Sequence, residues 1–162
     1  MPSHKIHLKI TIEINKKLNL DLDKLMLGSV LPDLNLENHR SSHYQVMGGY
    51  PLFLSNPDKF LNSNKVDNPI SLGYLLHLLT DRYYNEFVYK NHFIWKHNQP
   101  VSLILNNNKI VSDHKKFRAF KQHDFWQYDK YLIEMEQIIK FNVYDCIDYL
   151  PEFFLLVLSQ KV

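Results

Sequence analysis

A densely apolar stretch runs from Pro69 to about His92, and no second proline interrupts it. Asn68 directly precedes Pro69, and Asn-Pro is a common signal for the start of a helix. These residues predict the best-defined helix of the chain, which its many leucines place in the centre of the fold. The whole chain has only 4 glycines and 7 prolines, fewer turn-forming residues than all-β sandwiches and barrels use. We therefore expect an all-α protein.

The domain organisation is predicted to be simple. The 162 residues match the usual size of one domain, and no repeat, low-complexity tract or linker divides them. We expect a single compact multi-helix domain over residues 1–162. The one cysteine, Cys146, excludes an internal disulfide and a cysteine-based zinc finger.

Helices are also predicted outside the central stretch, with little or no sheet. Residues 7–20 fit both an alternating strand pattern and helical spacing, so the residues alone leave this segment open. Residues 33–44 lack periodicity and predict a loop. Further helices are predicted at residues 21–31, where Pro32 follows, at residues 45–54, from Ser112 or Asp113 to about Phe141, and within residues 142–158.

The charge and the hydropathy pattern exclude some partners. Lys and Arg total 19 against 17 Asp and Glu, a net charge of +2, which gives no strong nucleic-acid signal. The longest apolar run, residues 153–158, is far shorter than the roughly 20 residues of a transmembrane segment. The N-terminus lacks the apolar region of a secretory signal, so we expect a cytoplasmic protein.

The most specific local signal lies on the central helix, in the sequence Leu-Leu-His-Leu-Leu-Thr-Asp at residues 75–81. His77 and Asp81 have the i, i+4 spacing, so they project from one helix face about one turn apart. The surrounding leucines predict that both are buried, which is costly unless the two groups pair or bind a metal. Two interpretations are open at this point: a structural pair, or two ligands of one divalent metal.

Other potential metal ligands occur in the first half of the chain. A metal site needs three or more protein ligands. A single histidine or aspartate is more often an ordinary surface residue, but the joint occurrence of several at predicted segment ends favours a metal site. These residues are His4, His7, Asp33, His39 and His43.

The order of these residues resembles the zinc-dependent phospholipase C family, which is related to the trinuclear-zinc nucleases. The matching features are His7, the sequence Gly-Ser-Val-Leu-Pro-Asp at residues 28–33, His43, and residues 72–81 with their His-x-x-x-Asp spacing. The resemblance covers about the first 95 residues, from which the site would mainly be built. It implies a phospholipase C/nuclease-like helical bundle whose members hydrolyse phosphodiesters at a cluster of up to three zinc ions.

The resemblance implies a role for each ligand. Asp33, His43, His77 and Asp81 would hold one metal ion. Asp81 would also bridge towards a second metal ion held by His7. Asp33 would double as the catalytic base near the bound water.

Three further residues are candidates for the same site. His39 is the reserve for His43, because the register of the loop is open. Arg40 and Arg82 lie near the proposed ligands in sequence, and either could hold a phosphate as a substrate-binding residue.

Zinc is the expected cofactor, as one or two ions. Bound zinc lowers the pKa of water from 15.7 towards about 7, which produces a nucleophile at neutral pH. Family members carry further ligands beyond the His-x-x-x-Asp helix, whereas this chain has Asn85 one turn past Asp81 and no later His-x-x-x-Glu. Histidine and aspartate ligands also permit Mn²⁺ or iron.

The expected function is therefore that of a metal-dependent phosphoesterase acting on a phosphodiester small molecule or a phospholipid headgroup. One alternative is a non-catalytic helical binding module that retains a structural metal. The other is an HD-type metal phosphohydrolase built on the adjacent pair His123-Asp124. That site would also need an earlier histidine and a later aspartate, from His77, His92, Asp145 and Asp148.

Overall fold

The computed structural model describes residues 4–35, 38–47, 53–97, 99–105 and 108–111, and the single residue Ala119. This part of the chain is mostly helical, with five helices and two small antiparallel sheets. The helices are α1 (His4–Leu18), α2 (Leu22–Leu34), α3 (His39–Ser42), α4 (Pro57–Ser63) and α5 (Pro69–His92). The strands are β1 (Val46–Met47), β2 (Phe53–Leu54), β3 (Phe93–Lys96), β4 (Gln99–Leu105) and β5 (Asn108–Val111).

The start of α5 is set by Asn68 and Pro69, as the sequence predicts. The Asn68 side-chain oxygen accepts from the main-chain N–H of Ser71 (3.0 Å), and Ser71 Oγ accepts from the main-chain N–H of Asn68 (3.3 Å). This reciprocal capping box satisfies two helix-end donors. Pro69 stands at the first helical turn, where its missing N–H removes no hydrogen bond. The Asn56-Pro57 pair starts α4 with a simple cap, in which the Asn56 side-chain oxygen accepts from the main-chain N–H of Lys59.

The ambiguous first segment is a helix, α1. Its buried residues are His7, Thr11 and Ile14, which have the i, i+4, i+7 spacing of one helix face. The alternating isoleucines that suggested a strand are distributed around this helix, and most of them stay partly exposed. Packing of this buried face therefore decides between helix and strand, which the sequence periodicity alone did not.

The helices α2 and α5 cross at two glycines. A Cβ atom on Gly28 would lie 2.1 Å from the main-chain oxygen of Ile70, and one on Gly73 would lie 2.1 Å from that of Leu25. Because no side chain fits at either position, the two backbones can approach this closely only where both residues are glycine. The crossing brings α2 against the N-terminal half of α5, where His77 lies.

Two clusters pack the helices around α5, and a third, of Phe93 and Leu103, joins β3 to β4. Of the first two, one joins Ile14 of α1 and Leu25 of α2 to residues of α5, and the other joins Phe60 of α4 to α5. Each fully buried leucine contributes roughly 1.5–3 kcal/mol, so these contacts hold α5 against three other helices. The α5 residues in the two clusters are Leu72, Leu75, Leu76 and Leu78.

The expectation of little or no sheet was wrong. Strands β3, β4 and β5 form an antiparallel sheet directly after α5, in which Phe93 pairs with Leu103 and Leu103 with Ile110. Aromatic and β-branched residues favour strands, and this segment is rich in them. The strictly all-α class is therefore replaced by a mostly helical fold with small antiparallel sheets.

Residues 45–54 also do not form the predicted helix. Within the described residues they form β1 and β2, which pair antiparallel with Val46 opposite Leu54 and Met47 opposite Phe53. The intervening residues lie outside the described part of the chain. Gly48, Gly49 and Pro51 among them interrupt the helical pattern, because glycine and proline disfavour a helix interior.

The predicted loop at residues 33–44 is partly helical. Helix α2 continues through Pro32 to Leu34 instead of ending before the proline, and α3 occupies His39–Ser42. Pro32 lies in the last turn of α2, where it removes one N–H and so leaves the Gly28 carbonyl without that helical partner.

Several predictions fall outside the described residues. They concern the helix from Ser112 or Asp113 to Phe141, the helices within residues 142–158 and the pair His123-Asp124. Among the described helices, none has the length together with the apolar character needed to cross a bilayer.

Candidate metal centre

Histidine and aspartate side chains from four segments meet at the crossing of α2 and α5. His7 comes from α1, Asp33 from the end of α2 and His43 from the residue that ends α3. His77 and Asp81 come from one face of α5. Four of these five side chains are fully buried, and the side chain of Asp33 is 11% exposed.

The orientation of His77 follows from the glycine crossing. Ser29 is the residue after Gly28, and its main-chain oxygen accepts a hydrogen bond from His77 Nδ1 at 2.7 Å. The bond fixes the proton on Nδ1, so in the neutral ring Nε2 carries a lone pair. A carbonyl partner of this kind is what holds metal-binding histidines in place.

His43 is held in the same way by α3. Its Nδ1 donates to the main-chain oxygen of His39 at 2.8 Å and also lies 3.1 Å from Ser42 Oγ. The next residue, Tyr44, has a φ of 50°, and hydrogen bonds from Tyr44 N to Ser41 O and from Gln45 N to Arg40 O close the helix end. These two bonds form a Schellman motif that places His43 at the C-cap.

The potential ligand atoms lie close enough to one another to share one metal ion. His43 Nε2 lies 3.0 Å from His77 Nε2, 3.2 Å from Asp33 Oδ1 and 3.4 Å from Asp81 Oδ2. His77 Nε2 lies 3.8 Å from Asp33 Oδ1 and 3.6 Å from Asp81 Oδ2. Ligands at 2.0–2.1 Å from a tetrahedral zinc are about 3.3–3.4 Å from one another. The five observed distances bracket this value.

No hydrogen of the neutral rings lies between these atoms. Since His43 and His77 both keep their proton on Nδ1, their Nε2 lone pairs face each other across 3.0 Å, with two carboxylate oxygens beside them. Electron pairs this close in a buried site repel unless a proton or a metal cation lies between them. The described residues therefore form a cluster that can hold a metal ion.

Asp81 divides its two oxygens between different histidines. Its Oδ2 faces His43 and His77, whereas its Oδ1 lies 3.5 Å from His7 Nε2. His7 stacks on His77 with ring centroids 3.8 Å apart. A carboxylate with its oxygens directed at two sets of nitrogens is suited to bridge two cations.

Unsatisfied polar atoms of His7 are the strongest indication that a cation binds between His7 and Asp81. Both of its ring nitrogens and Asp81 Oδ1 are buried, and none of these three atoms has a hydrogen-bond partner among the described residues. Leaving a buried polar atom unsatisfied costs about 1–3 kcal/mol. A cation between His7 and Asp81 would satisfy both residues, so the chain fits a metal at this position as well.

The electrostatics of the cluster favour positive charge. Burial alone would raise the pKa of Asp81, but His7 and His77 outweigh it and hold this pKa well below its usual range. Burial also opposes ionisation of Asp33, yet His43 and then His77 lower its pKa. Two ionised carboxylates therefore share one site, and a cation is the group that stabilises both.

The histidines respond to burial and charge in different ways. Burial lowers the pKa of His7, and the effect of Asp81 does not offset it. For His77 the burial effect is outweighed by Asp81 and Asp33, which raise its pKa above the ordinary value. Without a metal, a proton on His77 would supply part of the positive charge that the carboxylates attract.

The open side of the cluster is formed by Asp33, His39 and His4. His39 Nε2 lies 3.8 Å from Asp33 Oδ1, and its ring stacks on His43 with centroids 3.9 Å apart. His4 Nε2 lies 3.2 Å from Asp33 Oδ2, and its side chain is 54% exposed. His43 is therefore the buried member of the pair that the sequence left open, and His39 lies at the rim.

The two predicted phosphate-binding arginines have other contacts. Arg40 is exposed, and its guanidinium lies 4.2 Å above the ring centre of Phe53. Arg82 forms an ion pair with Glu86 on the next turn of α5. Among the contacts of the described residues, a carboxylate pairs with Arg82 but not with Arg40.

Sequence reasoning missed two residues of the site. One is Ser29, whose carbonyl orients His77. The other is Ser55, which is 1% exposed and whose Oγ donates to Asp81 Oδ2 at 3.1 Å. The Gly-Ser pair at residues 28–29 was a usable signal for the first, because a buried helical glycine marks a close backbone approach. Asn85, one turn past Asp81, is buried, and its side-chain amide donates to the main-chain oxygen of Asp81.

Comparisons of this chain with protein-family models, with curated proteins and with solved structures found no match.

Proposed function

We propose that this chain is a zinc-dependent phosphoesterase that hydrolyses phosphodiester bonds. The observation that carries the proposal is the arrangement of Asp81, whose two oxygens are directed at two different sets of histidine nitrogens. This arrangement suits two neighbouring cations, and paired metal ions of this kind serve phosphoester hydrolysis in many enzymes.

The ligand set supports zinc as the metal. Two imidazole nitrogens and two carboxylate oxygens form the set, and the two nitrogens lie 3.0–3.8 Å from each other and from the two oxygens, which suits the nitrogen and oxygen coordination of zinc. His43, His77, Asp33 and Asp81 would hold the first ion, and His7 with Asp81 would contribute to a second. Bound zinc would supply Lewis acidity and would lower the pKa of a water molecule towards about 7.

Asp33 is the residue best placed to accept a proton. It is ionised at neutral pH, because His43 and His77 lower the pKa of its carboxyl despite burial. It is also the partly exposed member of the ligand set, so solvent and substrate can reach it. We assign it the role of general base, within reach of a water molecule on the open side of the cluster.

Arg40 is the better candidate for binding the phosphate. It follows His39, whose Nε2 lies 3.8 Å from Asp33 Oδ1, and the Arg40 side chain is exposed. Guanidinium groups bind phosphate oxygens in a bidentate manner. Arg82 is less suited to this role, because its ion pair with Glu86 would first have to break.

The resemblance to the zinc-dependent phospholipase C family adds support. The residues that the resemblance assigns to one ion are Asp33, His43, His77 and Asp81, and they lie together in the structure. His7, assigned to the second ion, lies against the other oxygen of Asp81. The phospholipase C/nuclease-like bundle belongs to the same proposal, as does a substrate that is a phosphodiester small molecule or a phospholipid headgroup.

One observation favours a second candidate function. The side chains of His7, His43, His77 and Asp81 are all fully buried, and structural zinc sites are closed whereas catalytic sites keep an open position. A non-catalytic module with a structural metal would show this burial. The exposure of Asp33 and of His4 at one side of the cluster argues for the catalytic alternative.

The test is hydrolysis of bis-p-nitrophenyl phosphate by the purified chain, with zinc, after chelation, and after zinc is restored. The proposal expects turnover that chelation abolishes and zinc restores. Asp33→Asn should lose turnover, whereas the matched control Asp23→Asn, an exposed residue of α2, should keep it. Bound metal without turnover on any phosphodiester would support the structural module instead.

The HD-type alternative makes a different prediction in the same assay. Its defining pair, His123-Asp124, lies outside the described residues, and Asp33 has no role in it. Chelator-sensitive turnover that survives Asp33→Asn and is lost in His123→Ala would therefore favour that alternative over our proposal.

A further inference from the structure

Ser55 joins the metal cluster from a segment that contributes no ligand. It follows β2 directly, is 1% exposed, and its Oγ donates to Asp81 Oδ2 at 3.1 Å. The two residues are 26 positions apart in the chain. A buried hydroxyl that reaches an ionised carboxylate forms one of the stronger hydrogen bonds in a protein.

The same segment also holds the main chain of a ligand. Asn56, next to Ser55, donates its main-chain N–H to the His43 carbonyl at 3.3 Å. The end of β2 is therefore connected both to the carboxylate of Asp81 and to the backbone of His43. Residues 55–56 can therefore influence the distance between the Asp81 carboxylate and His43 without binding the metal themselves.

The contact restricts the rotation of the Asp81 carboxylate. The terminal torsion of an aspartate has a broad energy profile, and Asp81 Oδ1 has no hydrogen-bond partner among the described residues. Ser55 is the side-chain donor that the structure records on Oδ2. Without it, rotation of the carboxylate would move Oδ1 away from His7 and Oδ2 away from His43 and His77 together.

We propose that Ser55 is a positioning residue that holds the Asp81 carboxylate in the bridging orientation, with one oxygen towards His7 and the other towards His43 and His77. The inference rests on the metal site of the proposed function, and it assigns Ser55 no contact with substrate. Outer hydrogen-bond partners of metal ligands typically contribute a factor of about 10–100 in metal affinity.

The experiment measures zinc affinity by competition with a chromophoric chelator for the parent, Ser55→Ala and Ser55→Thr. Ser63→Ala is the matched control, because Ser63 is exposed and its hydroxyl bonds a carbonyl within α4. We expect Ser55→Ala to bind zinc about 10–100-fold more weakly, Ser55→Thr to recover most of the affinity, and Ser63→Ala to equal the parent. Circular dichroism of the metal-free proteins establishes that each variant is folded.

A second measurement reports on geometry rather than affinity. Co²⁺ replaces zinc in such sites and absorbs visible light according to its coordination, so the band of the Ser55→Ala variant at saturating Co²⁺ should shift relative to the parent. A role of Ser55 in fold stability alone would lower the melting temperature of the metal-free protein and leave this band unchanged.

The outcomes separate this inference from the function on which it rests. A folded Ser55→Ala variant with the zinc affinity and the Co²⁺ band of the parent would overturn the role of Ser55 and leave the metal site intact. The same holds for a folded Ser55→Thr variant that binds as weakly as Ser55→Ala. A parent chain that binds neither ion would overturn the metal site together with the role of Ser55.

Discussion

A Cβ atom on Gly73 would lie only 3.0 Å from the Cα atom of Gly28, so α2 and α5 touch backbone to backbone at these two residues. The residue after Gly28 is Ser29, whose carbonyl oxygen lies 2.7 Å from His77 Nδ1. The helix crossing thus fixes the ring of a potential metal ligand. The same contact between Gly28 and Gly73 therefore determines both how α2 packs on α5 and how the His77 ring is oriented.

Replacing Gly28 by alanine tests this link. Alanine in place of a helical glycine normally stabilises by about 1 kcal/mol, but here its Cβ would overlap the Ile70 carbonyl. We expect Gly28→Ala to lower the free energy of unfolding by about 1–3 kcal/mol and to weaken zinc binding. Urea unfolding and zinc titration measure the two effects. The neighbouring exposed residue gives the control Leu27→Ala, and equal stability of Gly28→Ala and the parent would show that the crossing tolerates a side chain.

The pair His39 and His43 tests the assignment of ligands on α3. His43 is fully buried with its Nε2 between two carboxylate oxygens, whereas His39 is partly exposed at the rim. We expect His43→Ala to lose zinc binding at the first site and His39→Ala to reduce it only slightly. Isothermal titration with zinc measures both. The opposite ranking would exchange the two roles and contradict the geometry of the cluster.

Tyr74 gives a prediction for alkaline pH. Its hydroxyl donates to the Ser42 carbonyl, next to His43, and burial, with a contribution from Tyr44, raises its pKa to about 12. The unfolded chain releases this proton near pH 10 and the folded chain does not, so the contribution of Tyr74 to stability is complete below pH 10 and is lost as the pH rises towards 12.

The variant Tyr74→Phe isolates that contribution from the other tyrosines. It should be less stable than the parent by about 0.5–1.5 kcal/mol at pH 7, and the difference should shrink between pH 10 and pH 12. Urea unfolding of both proteins across this range gives the difference directly. A stability gap that stays constant or widens above pH 10 would show that the folded state does not favour the neutral hydroxyl.

Metal removal should also change stability. A ligand that binds only the folded state at 100 times its dissociation constant adds about 2.7 kcal/mol, which for a domain of this size raises the melting temperature by about 5–10 °C. We expect zinc to produce such a shift in the parent and chelation to reverse it. Differential scanning calorimetry measures the shift, and His43→Ala should show little of it. An equal shift in both proteins would place the bound zinc elsewhere.

The sequence was sufficient to predict α5 and the burial of His77 and Asp81 on one of its faces. The Asn68 cap, the apolar run and the i, i+4 spacing of His77 and Asp81 are all local features, and local features are what helical periodicity reports. The segment containing His7 was ambiguous because its isoleucines fit both periods. The choice depended on packing against α2, which no local pattern encodes.

The remaining parts of the site depend on contacts between distant segments. The choice between His39 and His43 required α3, a helix too short to leave a periodic signal. The contact of Ser55 with Asp81 required the pairing of β1 with β2, in a segment that we predicted as a helix. The helix prediction for residues 45–54 failed, and the choice between the two histidines stayed open, because these short elements are defined by their tertiary partners rather than by their own residues.

The central claim is that the buried histidines and aspartates of this chain bind a metal ion. The most direct measurement is the zinc content of the purified protein by elemental analysis, after loading with zinc and removal of unbound ions, alongside His43→Ala. The account predicts roughly one to two zinc ions per folded parent chain and a reduced content in the variant. A folded parent that retains no zinc, or a variant that retains as much as the parent, would contradict it.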